Sequence, residues 1–256
     1  MFLLANLYLR TLEGRGNPNA IKTALEGLSR RNRASWQSNK PRALSQAYDH
    51  AMERVMRQKT DLCALARKVL SWIVCAKIPL RTAEIQHALA ANTGECELEK
   101  DSIPTIDDMI SVCAGLVTVD KKTDIIRLVH YTTQEYFDIA RDRWFPQAMD
   151  DITAACVTYL SYDRFETGFC VTQRGFDQRL RMNALYSYAS RYWGHHARDA
   201  APDSLISRFL SSSPKVEASS QALWAMQGRL ADHSRGQQDM LQGAFGCTFW
   251  TNMGFG

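Results

Sequence analysis

Strand-like sequence interrupts the helical pattern of the chain at one place, and that interruption limits the possible folds more than any other feature. Up to residue 115 the apolar residues recur mostly at helical spacing. Residues 116–119 (LVTV) and 125–130 (IIRLVH) are instead short β-branched runs, separated by the polar segment DKKTD. Two such runs predict a two-stranded hairpin with a polar turn.

Three helices are predicted ahead of the hairpin. The first lies at 61–76, a short second one follows Thr82, and a third follows Thr105 and is closed by Gly115. Thr82 and Thr105 are of the residue type that caps helix N-termini. Glycine is the residue type that most often ends a helix.

A further helix is predicted after the hairpin. It starts at Thr132 or Thr133 and ends at Pro146, because proline does not continue a helix. The order helix, helix, helix, strand, strand, helix is that of a winged helix. We therefore predict a winged-helix domain over residues 61–145.

The flanking segments are predicted to be helical, which makes the fold class mainly α with one small β-hairpin. Residues 1–60 read as a helical lid, in which 1–12 resemble the end of a helix that follows missing upstream sequence and 43–58 form a helix whose apolar face includes Tyr48 and Met52. Residues 146–235 carry four helical patterns, one of them a single helix over 176–200, and are predicted to form a helical linker or arm. The glycine-rich residues 236–256 are expected to be a poorly ordered tail.

Enzyme motifs are absent from the sequence. It contains no GxxxxGK[ST], GxSxG, HExxH or GxGxxG, and no cysteine–histidine zinc spacing. His195 and His196 are adjacent in a predicted helix, so both cannot face one metal ion, and they are predicted to be packing or capping groups. We expect a protein that is not an enzyme and holds no metal or cofactor of its own.

Cysteine usage indicates a reducing compartment. The chain has seven cysteines, an odd number, with no CxxC pair, and several lie in apolar helical runs. They are predicted to be buried free thiols. No apolar run reaches the roughly 18 residues of a membrane span, so a cytoplasmic protein without a membrane partner is expected.

Nucleic-acid binding is disfavoured by the charges of the predicted winged helix. Its third helix carries Asp107 and Asp108 and has no lysine or arginine, while Lys121 and Lys122 of the wing are offset by neighbouring aspartates. The basic segment at 30–42 is read as a solvated loop, with a nucleic-acid patch as the alternative. The net charge of +4 identifies no partner.

Several segments resemble one family. The similar segments are MFLLANLYLRTL, AYDHAMERV, VLSWIVCAKIPLRTAEIQHALA and SVCAGLVTVDKKTDIIRLVHYTTQEYF. They are similar to the C-terminal half of fungal NACHT-type signal-transduction ATPases of the NOD-like receptor class. In that class, which serves innate-immunity-like and heterokaryon-incompatibility signalling, a nucleotide domain precedes a helical lid, a winged helix and often ankyrin repeats. The winged-helix part resembles the domain that is named after a GPI inositol-deacylase.

The resemblance singles out His130 at the end of the wing. In the family, the middle residue of a Met-His-Asp motif touches the β-phosphate of ADP and holds the resting state. His130 matches it, although its neighbours are Val129 and Tyr131. The alternative is a histidine that caps the next helix at Thr132 or packs under the wing.

The expected function is therefore regulation and protein interaction, with the winged helix clamping a NACHT nucleotide domain in cis or in trans. The resemblance implies ADP or ATP as ligands only together with that domain. It also implies ankyrin or other sensor repeats as partners, and self-association is a further expectation. The alternative is a stand-alone winged-helix module that binds nucleic acid or acts as an adaptor.

Overall fold

A computed structural model describes residues 17–19, 22–23, 40–201 and 204–228. The predictions for residues 1–12, for the side chains of the basic segment at 30–42 and for the tail at 236–256 lie outside the described residues. Near the N-terminus, the side-chain oxygen of Asn17 accepts a hydrogen bond from the backbone N–H of Asn19 at 2.9 Å, in the manner of a helix cap.

Within the described residues the fold is mainly helical with one two-stranded antiparallel sheet, which confirms the predicted fold class. The helices and strands are α1 (Lys40–Met56), α2 (Thr60–Cys75), α3 (Thr82–Leu89), α4 (Ile106–Val112), β1 (Val117–Asp120), β2 (Ile125–Leu128), α5 (Tyr131–Trp144), α6 (Ala148–Leu160), α7 (Gln173–Met182), α8 (Tyr186–Ala197), α9 (Ser204–Leu210) and α10 (Ser213–Gly228).

The chain forms two compact units. The first comprises the described residues within 1–85 and 104–148, and the second those within 86–103 and 149–256. The first unit contains the hairpin and the helices that surround it. The domain boundaries that the sequence suggested, at residues 60, 145 and 235, stay predictions.

The core of the first unit lies where the apolar faces of its helices meet. Met52 of α1, Leu70 of α2, Met109 of α4 and Phe137 of α5 are all fully buried. Burial of each such side chain contributes about 1.5–3 kcal/mol, so these faces determine which way the helices turn. For α1, the spacing of apolar residues in the sequence predicts the same face.

The wing consists of the hairpin and a third chain segment that lies along it. β1 and β2 pair with Val117 opposite Leu128 and Asp120 opposite Ile125. The segment before α3 then lies along β2, where the N–H of Ile126 donates to the carbonyl of Leu80 at 3.2 Å. The sequence pattern did not predict this third segment.

Thr82 binds this third segment to the turn of the hairpin. It does not cap α3, which corrects the prediction. Its backbone N–H donates to the carbonyl of Asp124 at 2.9 Å, and its hydroxyl donates to the Asp124 carboxylate at 2.6 Å. Asp124 has a φ of +57°, in the left-handed region that aspartate tolerates better than most residues. The start of α3 is satisfied instead by the Glu84 carboxylate, which accepts the N–H of Arg81 at 2.6 Å.

α4 begins and ends as predicted. The hydroxyl of Thr105 accepts the N–H of Asp108 at 3.1 Å and lies 2.7 Å from its carboxylate. At the other end, Ala114 and Gly115 both have positive φ, and the N–H of Leu116 donates to the carbonyl of Cys113 at 2.9 Å. This turn leads the chain directly into β1.

The second unit is built around a cluster of aromatic side chains. The ring centroid of Tyr159 lies 5.1 Å from that of Tyr162 and 6.3 Å from that of Phe165, which stacks on Tyr186 at 4.8 Å. All four residues are no more than 1% exposed. Burial raises the pKa of Tyr162 and of Tyr186 to about 12.

The single helix predicted at 176–200 is wrong, because the chain breaks between α7 and α8. Asn183 leaves the helical conformation with φ −126° and ψ 81°. Its buried side chain accepts from Arg164 at 3.0 Å and donates to the carbonyl of Arg179 at 2.8 Å. These bonds satisfy the buried amide and compensate for the lost helical turn.

The six described cysteines are free thiols, as predicted, but only three of them are buried. Those three are Cys75, Cys113 and Cys156, while Cys96 is exposed. Burial raises the pKa of Cys113 to about 12, which keeps this thiol protonated.

We predict that the contact between Thr82 and Asp124 stabilises the wing. Thr82→Val keeps the shape of the side chain but removes the donor, so the free energy of unfolding in urea should fall by about 1–2 kcal/mol. Lys121→Ala serves as the control, because it changes an exposed residue of the turn between β1 and β2 that also contains Asp124. An equal loss in both variants would contradict the contribution of this contact.

We also predict alkaline instability of the second unit. Because the folded state holds the phenols of Tyr162 and Tyr186 above their ordinary pKa of 10, their contribution is complete below pH 10 and is lost towards pH 12. Each should contribute about 2 kcal/mol to that loss. Tyr162→Phe should make unfolding less steeply pH-dependent, as followed by circular dichroism and the tyrosinate absorbance band. Tyr131→Phe, at an exposed ring, should leave the dependence unchanged.

Candidate functional site

His130 lies at the junction between the wing and the helix that follows it. The N–H of Val129 donates to the carbonyl of Leu116 at 3.0 Å, which extends the hairpin by one residue beyond β2. His130 is still extended, with φ −153° and ψ 151°, and α5 begins at Tyr131. The predicted start of this helix at Thr132 or Thr133 is thus late by one or two residues.

The imidazole of His130 caps α5. Its Nδ1 accepts the N–H of Thr132 at 3.2 Å and lies 2.9 Å from the hydroxyl of the same threonine. The backbone carbonyl of His130 accepts the N–H of Thr133 at 3.0 Å. The structure therefore contains the capping contact that the sequence offered as the alternative role of His130.

A chain of hydroxyls connects this cap to α1. The hydroxyl of Thr133 donates to the hydroxyl of Tyr48 at 3.2 Å, and Tyr48 lies 2.7 Å from the hydroxyl of Thr132. Since a hydroxyl has one proton to donate, Tyr48 donates to Thr132, and Thr132 in turn donates to His130. Tyr48 is 1% exposed, so this chain is shielded from solvent at its α1 end.

The direction of these bonds decides the tautomer of the histidine. A backbone N–H can only donate, so Nδ1 of His130 must accept the bond from Thr132, and the neutral ring carries its proton on Nε2. His130 is exposed, and its ring centroid lies 4.4 Å from that of Tyr131, which is 69% exposed. The site therefore offers a surface N–H donor whose orientation is fixed from behind.

The far end of α5 is attached to α1 by a second cluster. Tyr136 donates to the carboxylate of Asp49 at 2.7 Å and accepts from the indole N–H of Trp144 at 2.7 Å. Arg143 donates to the same carboxylate at 3.0 Å, and its guanidinium lies 4.4 Å from the Trp144 ring centroid. Burial, followed by the bond to Asp49, raises the pKa of Tyr136.

Tyr48, Asp49 and Tyr136 are partners of this site that the sequence pattern did not predict. Tyr48 was predicted only as part of an apolar face, and nothing in a helical pattern shows where its hydroxyl points. A tyrosine in such a face is one signal, because its buried O–H needs a partner. The identity of that partner depends on how two helices cross.

The other candidate residues do not form a ligand site. His196 is buried in α8 with Nε2 2.8 Å from the hydroxyl of Tyr188, while His195 is exposed. Within the part of the chain that the structure describes, no group of three or more histidine, cysteine or carboxylate side chains is placed to hold a metal ion.

The surface expected to meet DNA in a winged helix is acidic. Asp107 and Asp108 are exposed on the third helix of the domain, α4. In the wing, Asp120 lies 3.6 Å from Arg127 and accepts the N–H of Lys122 at 2.9 Å. The aspartates would repel phosphates at the position where this fold usually inserts its recognition helix.

Comparison with known proteins supports the winged helix. Residues 52–143 match the family model described as the winged helix domain of GPI inositol-deacylase. The match runs from within α1 to the end of α5 and includes His130 and the wing. No curated protein and no solved structure matches the chain. Among the described residues, no helix is long and apolar enough to cross a membrane.

We predict that the imidazole of His130 stabilises the winged helix as a cap. His130→Ala removes the acceptor for the Thr132 N–H and should lower the free energy of unfolding by about 1 kcal/mol. His130→Asn supplies another cap acceptor and should lose less than about half of that amount. Urea unfolding of both variants checks the prediction, and equal losses would contradict it.

Proposed function

We propose that this chain is a regulatory, protein-binding segment of a NACHT-type switch ATPase rather than an enzyme. In this proposal the winged helix clamps a nucleotide-binding domain, present in cis or in trans. The winged-helix match over residues 52–143 supports the module, and the resemblance of the flanking segments supports its context. The cytoplasm is the compartment in which we expect it to act.

The arrangement around His130 is the observation that carries the proposal. Its Nδ1 is held by Thr132, so its Nε2–H is the group available to a ligand at the surface. Donation of that N–H to a phosphate oxygen gives a charge-assisted hydrogen bond. The bond is made only while the winged helix lies against the nucleotide, so it favours the closed state over the open one.

The hydroxyl chain holds the imidazole of His130 in the direction that this bond needs. Tyr48 connects the cap to α1, and therefore the direction of the imidazole is coupled to the packing of α1 against α5. A donor fixed in advance loses little freedom on binding, which increases the benefit of a single bond. His130 acts in this account as a latch, and no step of hydrolysis is assigned to it.

The sequence contains no P-loop, so the proposal places ADP or ATP on the partner domain and not on this chain. The second unit, with its aromatic helices α6 to α10, is then the arm that passes the change of state to a sensor region such as ankyrin repeats. Because the carboxylates on α4 would repel phosphates, nucleic acid has no role in this mechanism.

The latch predicts an effect on nucleotide release. A recombinant NACHT ATPase domain is loaded with a fluorescent ADP analogue, and its release is followed by stopped flow with and without the 256-residue chain. The chain should slow release, and His130→Ala and His130→Asn should each reduce the slowing about tenfold, as expected for one charge-assisted bond of about 1.4 kcal/mol.

The two variants separate the latch from the cap. His130→Asn is expected to keep the stability of the winged helix, so its loss of retention would reflect the missing imidazole donor. Lys121→Ala, in the wing turn, is the matched surface control and should retain ADP like the unchanged chain. The latch is refuted if the chain leaves release unchanged, or if His130→Asn retains ADP fully.

A further inference from the structure

One exposed face of α5 is acidic with apolar residues at its border. Tyr131, Glu135, Asp138 and Asp142 follow one another at intervals of three or four, and therefore lie in one stripe along the helix. All four are exposed. Ile139, beside the stripe, is 90% exposed.

An exposed face of α7 has the opposite charge. Arg174, Gln178 and Arg181 lie on one side of the helix at intervals of three and four and are all exposed. Val171, one residue before the Thr172 cap, is 93% exposed, and Met182 at the other end of α7 is 64% exposed. The stripe thus combines two cations with apolar side chains at both ends.

The two stripes match in spacing. Glu135 and Asp142 are seven residues apart on α5, and Arg174 and Arg181 are seven residues apart on α7. At 1.5 Å per residue, each pair spans about 10.5 Å along its helix. Two helices laid side by side can therefore join both acid–base pairs at once, with the exposed apolar side chains between and beyond them.

We propose that copies of this chain associate through these faces, with the α5 stripe of one copy against the α7 stripe of another. The occupant of each face is then a second copy, because charge, spacing and exposed apolar residues are complementary within one sequence. Each copy carries one stripe of each kind, so reciprocal contacts close a dimer and non-reciprocal contacts extend into larger assemblies.

Existing contacts leave the α5 stripe accessible. Asp142 lies 3.4 Å from its neighbour Arg141, with 91% of the aspartate side chain exposed, and Asp138 accepts from Gln134 at 2.9 Å. These contacts are local and solvated, and contacts of that kind contribute little. A contact of two short helices is small, so we expect weak association that depends on charge.

Sedimentation velocity of the complete chain tests the proposal. Over about 5–500 µM protein in about 50 mM salt, the weight-average sedimentation coefficient should rise reversibly. Raising the salt to about 500 mM should weaken association at least about tenfold, because screening acts on exposed charges. A chain that stays monomeric over the whole low-salt range would overturn the proposal.

Charge reversal identifies the two faces. In the double variant Glu135→Arg/Asp142→Arg both stripes are basic. In the double variant Arg174→Glu/Arg181→Glu both are acidic. Each variant alone should be monomeric, because its two stripes repel each other between copies. An equimolar mixture of the two should associate again, because each variant then meets a stripe of opposite charge. A mixture that remains monomeric would show that these faces do not pair.

The control carries the same change in net charge as the α7 variant, at another place. Arg67→Glu/Lys68→Glu reverses two exposed cations of α2 and should associate like the unchanged chain. Urea unfolding of every variant confirms that each is folded before its mass is compared. Equal loss of association in the control would mean that overall charge, and not the α7 stripe, controls the effect.

Discussion

The first unit depends on the buried hydroxyl of Tyr48. Its ring lies in the apolar contact between α1 and α5, and its O–H must find partners there because a buried hydroxyl without one costs about 1–3 kcal/mol. The partners are Thr132 and Thr133 in the first turn of α5. This requirement fixes where along α1 the helix α5 begins, and with it the position at which the wing ends.

The same constraint determines the chemistry at the surface. Once Thr132 is held by Tyr48, its N–H and hydroxyl both face Nδ1 of His130. The imidazole is thus an acceptor on the inside and a donor on the outside. Capping and ligand binding are therefore not competing roles for this residue, because they use different nitrogens of one ring.

The opposite end of α5 shows why two anchors are needed. A helix held only at its first turn could still swing, whereas the bonds among Asp49, Tyr136 and Trp144 attach the last turn to α1 as well. The N-terminal cap of α5 and its exposed acidic stripe have different roles in our proposals. His130, preceding its first residue, faces a nucleotide, and the acidic stripe faces another copy of the chain.

The sequence by itself determined most of the helices, the hairpin and the caps that rest on local geometry. Thr105, for instance, caps α4 through an N–H only three residues away, and such short-range bonds follow from residue order. The tertiary structure alone decided the partners of Tyr48, the bond from Thr82 to Asp124 and the break at Asn183. Each of these depends on polar atoms brought together from distant segments when apolar faces are buried, and periodicity encodes which face is buried but not which polar atoms meet there.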